Sequence, residues 1–217
     1  MKDEYIVGID EVGRGPIAGP VAVCAFRCQP DFFNDIEIKT PLRDSKKLTK
    51  KQREKWFEYL KQEKEKGNCD FAVSMVSAEW IDKVGIVRSI QKALNESLGK
   101  VTSPEILFVR SSDEGGRGAR PSQKEFQASL HIYLDGGLKA PKEYVNQETI
   151  IKGDELHPVI SCASIMAKVT RDNLMTKYAK EYPNYDWDKN MGYGTKSHYE
   201  GVKKYGVTVL HRKTFLN

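Results

Sequence analysis

The sequence predicts an α/β fold built on a mixed β-sheet. Strand-like apolar runs open the chain and later alternate with helix-periodic stretches. Three of the runs, "VGIDE", "IYLDG" and "IIKGD", end in acid. No internal repeat or strong linker divides the 217 residues, which fit one domain with a helical extension.

"YIVGID" reads as the first strand and "PVAVCAFR" as the second, with "GRGPIAG" turning between them. "TPLRDSKKL" is a loop. Thr49 caps a helix running to about Lys66, with Trp56, Phe57 and Leu60 on one face, and Gly67-Asn68 ends it. "CDFAVSMVS" is a third strand. One long helix is expected from about Ala78 to Gly99, its apolar positions including Trp80, Val84, Ile90 and Leu94. "EILFVR" is strand-like, and the polar, Gly-rich "SSDEGGRGARPSQ" reads as an exposed loop. "LHIYLDGG" and "ETIIKGD" are strands ending at Asp135 and Asp154. "PVISCASIMAKVTRDNLMTKYAKEY" is a helix bounded by Pro158 and Pro183, and a last helix spans about 196–206.

Composition narrows the function classes. Hydrophobic residues make up 39% of the chain, enough for a core, and no apolar run approaches the roughly 20 residues of a membrane span. The acidic N-terminus is unlike a secretion signal. The cysteines, 24, 28, 69 and 162, form no CxxC pair and read as buried, reduced thiols of a cytoplasmic protein. Residues 46–66 hold nine Lys/Arg against four Glu, and residues 189–213 hold six against one. Together they exceed the chain's net charge of +5, so a more acidic body lies between two basic segments. That placement suits a polyanion partner, or equally a solvated helix face laced with ion pairs.

Ligands of open α/β sheets sit beyond strand ends, so Asp10, Asp135 and Asp154 are candidates to meet in space. Glu11 points away from Asp10 if the strand continues and toward it only if the chain turns. Clustered carboxylates stay ionised together only when a cation joins them. All-oxygen donors favour Mg²⁺ or Mn²⁺ over zinc, and a pair of such ions suits phosphoryl displacement. An Asp after a strand is also a common turn-former or helix cap.

"GIDEVGRGPIAGPV", "DSKKL", "DGG", "KGDELHPVISCASIMAKVTRD" and "GYGTKSHYEGVKKYG", in that order, closely resemble the ribonuclease HII family over nearly the whole chain. The resemblance implies a ribonuclease H-like fold: a central mixed sheet flanked by helices, with a C-terminal helical extension from about residue 183. It implies an endoribonuclease that hydrolyses the RNA strand of RNA–DNA hybrids and incises 5′ of single ribonucleotides in duplex DNA. Water activated by two divalent ions, Mg²⁺ or Mn²⁺, leaves 3′-hydroxyl and 5′-phosphate ends. The family's metal-binding acids fall on Asp10, Glu11, Asp135 and Asp154.

In relatives the segment matching Gly13, Arg14 and Gly15 reads the ribose 2′-hydroxyl, mainly through backbone groups. Tyr193 matches a tyrosine packed on the following deoxyribose. Lys46 is expected at backbone phosphate, and Ser164 and Lys168 on the nucleic-acid side of their helix, with Ala163 and Ala167 against the sheet. The histidines carry no mechanism on this reading, though His198 lies near the basic tail and could touch phosphate. Residues 111–124, with a second GRG at 116–118, depart from the family pattern as an insertion. The signature starts at residue 5, which disfavours the relative with an added N-terminal substrate-binding domain. The expected state is a monomer. Rival readings are another nuclease of the same fold and a nucleic-acid-binding module without turnover.

Overall fold

The computed structural model describes residues 5–34, 36, 38, 40–42, 45–103 and 122–216. Among them are five strands: β1 (Tyr5–Val12), β2 (Val21–Cys28), β3 (Cys69–Val76), β4 (Leu130–Asp135) and β5 (Gln147–Ile150). Their order across the sheet is β3-β2-β1-β4-β5. β2 runs antiparallel to β1 and β3, whereas β4 lies parallel to β1 and β5. Every residue of β2 is buried, which explains why its sequence is nearly all apolar rather than alternating.

The helices are α1 (Lys50–Glu65), α2 (Ala78–Val84), α3 (Ile86–Val101), α4 (Gln123–Ser129), α5 (Gly153–Leu156), α6 (Pro158–Glu181), α7 (Trp187–Asn190) and α8 (Lys196–Tyr205). One core joins Val7, Ile9, Val21 and Val23 to Leu94 and Leu98 of α3. The other joins Cys24 and Phe26 to Trp56 and Leu60 of α1 and to Val159, Cys162, Ala163 and Ala167 of α6. The predicted face of α1 and the small-residue face of α6 are both found there. All four cysteines are buried and free. α7 and α8 form the extension, which packs through Tyr185 and Trp187 on Met175 of α6.

Several expectations are corrected. The helix from Ala78 breaks at Gly85, whose φ of +85° no β-carbon-bearing residue adopts easily, giving α2 and α3. Trp80, one of the apolar positions read on that helix, lies exposed. The strand leading to Asp154 stops at Ile150, and Asp154 sits instead in the single turn of α5. Ser122 caps α4 through a reciprocal bond with Glu125, so residues 123 and 124 begin a helix rather than end a loop. The strand "EILFVR", the second GRG and the insertion up to residue 121 lie outside the described residues.

Candidate active site

Parallel pairing brings the first two acids together. Ile9 of β1 lies opposite Leu134 of β4, so Asp10 and Asp135 leave the same edge of the sheet. Asp135 lies opposite Ile150, after which the chain turns into α5. The Gly153 and Asp154 amides donate to Asp135 Oδ1 at 2.7 and 3.4 Å, so Asp135 caps the turn that carries Asp154. Ser161 Oγ, on α6, donates to the Asp154 carbonyl at 2.8 Å. One carboxylate oxygen from each of Asp10, Asp135 and Asp154 lies within 4.8 Å of the other two. Asp10 and Asp154 are buried, and Asp135 is half-buried.

The cluster is electrostatically poor on its own. Burial pushes the Asp10 carboxyl well above its ordinary range, and Glu11, Asp135 and Asp154 push the same way against a hydrogen bond from Ser164. Burial and then Asp135 raise Glu11, which Arg14 partly offsets. Among the described residues, protein cations stand at the rim: Lys46 Nζ is 3.1 Å from Asp154 Oδ2, and Arg14 Nη1 is 3.6 Å from Glu11 Oε1. Three converging carboxylate oxygens, with like charges crowding Asp10, fit a hard divalent cation and no imidazole- or thiolate-seeking metal.

Glu11 stays outside this set of three. β1 remains extended through Val12, so successive side chains alternate, and Glu11 turns to Arg14 while staying within electrostatic reach of Asp135.

The other predicted residues divide. Gly13 (φ +86°) turns the chain out of β1, and Arg14 and Gly15 are exposed. A β-carbon on Gly15 would lie 3.9 Å from Tyr193 Cε1, so the half-exposed Tyr193 ring borders the GRG loop. Lys46 extends from a loop whose carbonyls at Ser45 and Leu48 both accept from Arg53. Ser164 is buried, its hydroxyl 2.8 Å from Ser45 Oγ and bonded to Asp10, so in this structure it supports a carboxylate. Lys168 is held by Asp172 at 3.0 Å. Part of the basic charge of 46–66 is spent in ion pairs, Lys61 with Glu58, Lys64 with Asp70 and Lys66 with Glu63.

Comparison with known proteins is decisive at this point. The family model for ribonuclease HII matches residues 7–217. The ribonuclease HII of Endomicrobium trichonymphae is 36% identical over 210 residues, 97% of this chain and 84% of that protein. The chain belongs to the ribonuclease HII family. A second ribonuclease HII, from Pelagibacter ubique, is 36% identical over 98% of this chain and 96% of its own.

Solved structures share the fold. The ribonuclease H2 from Pyrococcus horikoshii has a TM-score of 0.64 at 24% identity, over 97% of this chain and 93% of that one. The RNase HIII named Bst, solved with Mn²⁺, reaches 0.66 at 15% identity, over 99% and 68%. The chain is therefore an RNase H-type endoribonuclease acting on RNA–DNA, a metal-dependent hydrolase with a ribonuclease H-like fold. Among its described residues no helix is long and apolar enough to cross a membrane.

Sequence reasoning missed a second layer of residues behind the loops. Arg171 and Arg212 are fully buried. Arg171 donates to the carbonyls of Pro20, Met191 and Ala18 at 2.8, 2.9 and 3.3 Å. It continues the stripe Ser161, Ser164, Lys168 at helical spacing, a signal that was present. Arg212 sits in a basic tail that reads as solvated, and nothing local distinguishes it.

His198 is corrected as well: it is fully buried and meets no phosphate. Its Nδ1 lies 2.9 Å from the Tyr193 carbonyl and must carry the proton. Its Nε2 then accepts from Trp187 Nε1 at 2.9 Å and from His211 Nε2 at 3.2 Å. His211 Nδ1 accepts the Thr208 amide at 2.9 Å. Both rings are neutral, and burial lowers their proton affinity, His211 to about 4, aided by its neighbour His198.

A group whose folded pKa lies below its unfolded value of about 6.5 stabilises fully above that value. Its contribution shrinks as pH falls toward about 4. Melting temperature should therefore drop below about pH 6.5, and the drop should be shallower in His211→Gln. Equal slopes in wild type and variant, measured by scanning fluorimetry from pH 7.5 to 4.5, would contradict the assignment.

Proposed function

We propose that this chain cleaves the RNA strand of RNA–DNA hybrids and incises 5′ of single ribonucleotides in duplex DNA, leaving 3′-hydroxyl and 5′-phosphate ends. The convergence of Asp10, Asp135 and Asp154 carries the reading. These three, with Glu11 beside them, would hold two divalent ions, Mg²⁺ or Mn²⁺. Such ions lower the pKa of water and neutralise charge building on the scissile phosphate.

The chain's own groups do the rest. Asp135 fixes the backbone of Asp154, and Ser164 fixes Asp10. The exposed loop at Gly13, Arg14 and Gly15 lets the backbone approach the ribose 2′-hydroxyl, the group that separates RNA from DNA. The Tyr193 ring beside it suits the following deoxyribose, where a 2′-hydroxyl would crowd the flat face. Lys46, paired with Asp154, and Lys168, paired with Asp172, would exchange those partners for backbone phosphate. The same reading has the protein act as a cytoplasmic monomer.

The test is a gel assay on a labelled DNA duplex with one ribonucleotide. A single cut on its 5′ side is expected with Mg²⁺ or Mn²⁺, and none with chelator or when the 2′-hydroxyl is replaced by hydrogen. Binding without turnover in either metal would instead support a binding module, and equal cutting of all-DNA duplex a nuclease of different specificity. Tyr193→Ala should slow cleavage at the RNA-to-DNA junction about tenfold more than cleavage within a plain hybrid, the worth of one aromatic stacking contact. Equal losses on both substrates would remove Tyr193 from junction recognition.

A further inference from the structure

The 13–15 loop is held from behind by the C-terminal tail. Arg212 Nη2 donates to the Gly13 carbonyl at 2.7 Å, Nη1 to the Arg14 carbonyl at 3.0 Å, and Nε to the Gly19 carbonyl at 3.0 Å. One rigid guanidinium thus spans both ends of the turn between β1 and β2. A trans peptide aims its N–H opposite to its C=O. With the Gly13 and Arg14 carbonyls drawn inward to a fully buried side chain, the N–H groups of Arg14 and Gly15 are aimed outward. Both residues are exposed, and Tyr193 flanks them.

The tail that delivers Arg212 is itself pinned. The Arg212 amide donates to Ile17 and the Gly19 amide to Leu210, both at 2.8 Å. Asp82 on α2 accepts the amides of Lys213 and Thr214 at 2.9 and 3.0 Å. Beneath the loop, a β-carbon on Gly13 would fall 2.3 Å from Arg171 Nε, so the loop rests directly on the Arg171 side chain with no room between. Burial and Arg171 bring Arg212 down to about 9, which leaves it charged at neutral pH.

We propose that Arg212 is a positioning residue for sugar discrimination, holding the Arg14 and Gly15 amides outward as paired donors, an inference that rests on the loop's reading the ribose 2′-hydroxyl as proposed above. Arg212 touches no reacting atom. Its effect falls on the preference for ribose over deoxyribose, not on attraction to duplex.

Lysine at this position keeps the charge but not the fork, and cannot reach three carbonyls in two directions. The experiment measures equilibrium binding in the Asp10→Asn background, which leaves substrate intact, using two fluorescent duplexes that differ in one 2′-hydroxyl. Arg212→Lys should lower the ribose-over-deoxyribose affinity ratio about tenfold, the loss of one well-made hydrogen bond. Affinity for the all-DNA duplex should stay unchanged. An unchanged ratio in the folded variant overturns the proposal, and so does an equal loss on both duplexes, which marks a merely structural role.

Should Arg212→Lys melt below the assay temperature, amide spectra of the intact chain decide. The Arg14 and Gly15 signals should move with the ribose duplex and not with its all-DNA twin; identical movement with both overturns the proposal. If the background protein itself binds both duplexes equally, the loop's reading of ribose fails first and this inference falls with it. A ratio above one that Arg212→Lys leaves intact removes Arg212 alone.

Discussion

Asp10→Asn is expected to lower cleavage by about 10³-fold or more while raising the melting temperature of the metal-free protein. The two effects have one cause. Asp10 is buried beside Glu11, Asp135 and Asp154, and ionising it there opposes folding, as its raised proton affinity shows. Asparagine keeps an oxygen that can accept the Glu11 amide, 2.7 Å away in the native chain, and the Ser164 hydroxyl. It removes only the charge that a divalent ion requires.

The sign follows from linkage. An acid whose folded pKa is raised binds its proton more tightly when folded, so its cost is present above that pKa and relieved as pH falls through it. The metal-free wild type should gain from Asp10 on mild acidification, opposite to the loss from His198 and His211. Mn²⁺ should raise the wild-type melting temperature clearly and that of Asp10→Asn much less. Turnover at wild-type rates in a folded Asp10→Asn protein, or a lower melting temperature in chelator, would remove Asp10 from the cage.

Local chemistry made much of this architecture legible in the sequence. The apolar runs of β1, β2 and β3 and the Thr49 cap obey nearest-neighbour rules, and the structure places them within a residue or two of expectation. The convergence of Asp10 and Asp135 was legible because parallel strands end on one edge. Asp154 was found for partly the wrong reason: its run looks like a strand, but Lys152 takes a left-handed conformation and the chain coils into α5 under the Asp135 carboxylate. That cap spans 18 residues, so no local pattern announces it. The helical stripe put Ser164 on one face with Ser161 and Lys168, but a stripe fixes a direction and not what lies opposite, here Ser45. Arg212 is the extreme case. Its partners are 193, 198 and 199 residues away, and a buried arginine in a basic tail is indistinguishable by type from its solvated neighbours.

Gly8→Ala should damage folding and catalysis together, although Gly8 touches no substrate. A β-carbon there would lie 2.2 Å from the Val159 carbonyl oxygen and 2.7 Å from the Ile160 nitrogen, both backbone atoms of α6. No side chain can swing away to make room, so the helix must lift from the sheet. The expected cost is roughly 3 kcal/mol or more, a melting temperature lower by about 6–12 °C for a chain of this size.

The lift also reaches the site. Gly8 and Asp10 face the same side of β1, toward the helix that carries Ser161 and Ser164, which hold the Asp154 carbonyl and the Asp10 carboxylate. A displacement near 1 Å spreads the three carboxylates, and activity should fall about 10²-fold at a temperature where the variant is still folded. Stability in chelator separates the two substitutions: it should rise in Asp10→Asn and fall in Gly8→Ala, with the Mn²⁺-induced gain reduced in both. A Gly8→Ala protein that melts within a degree or two of wild type would mean that α6 is not held against β1 by this contact, and that the cage owes its geometry to α5 alone.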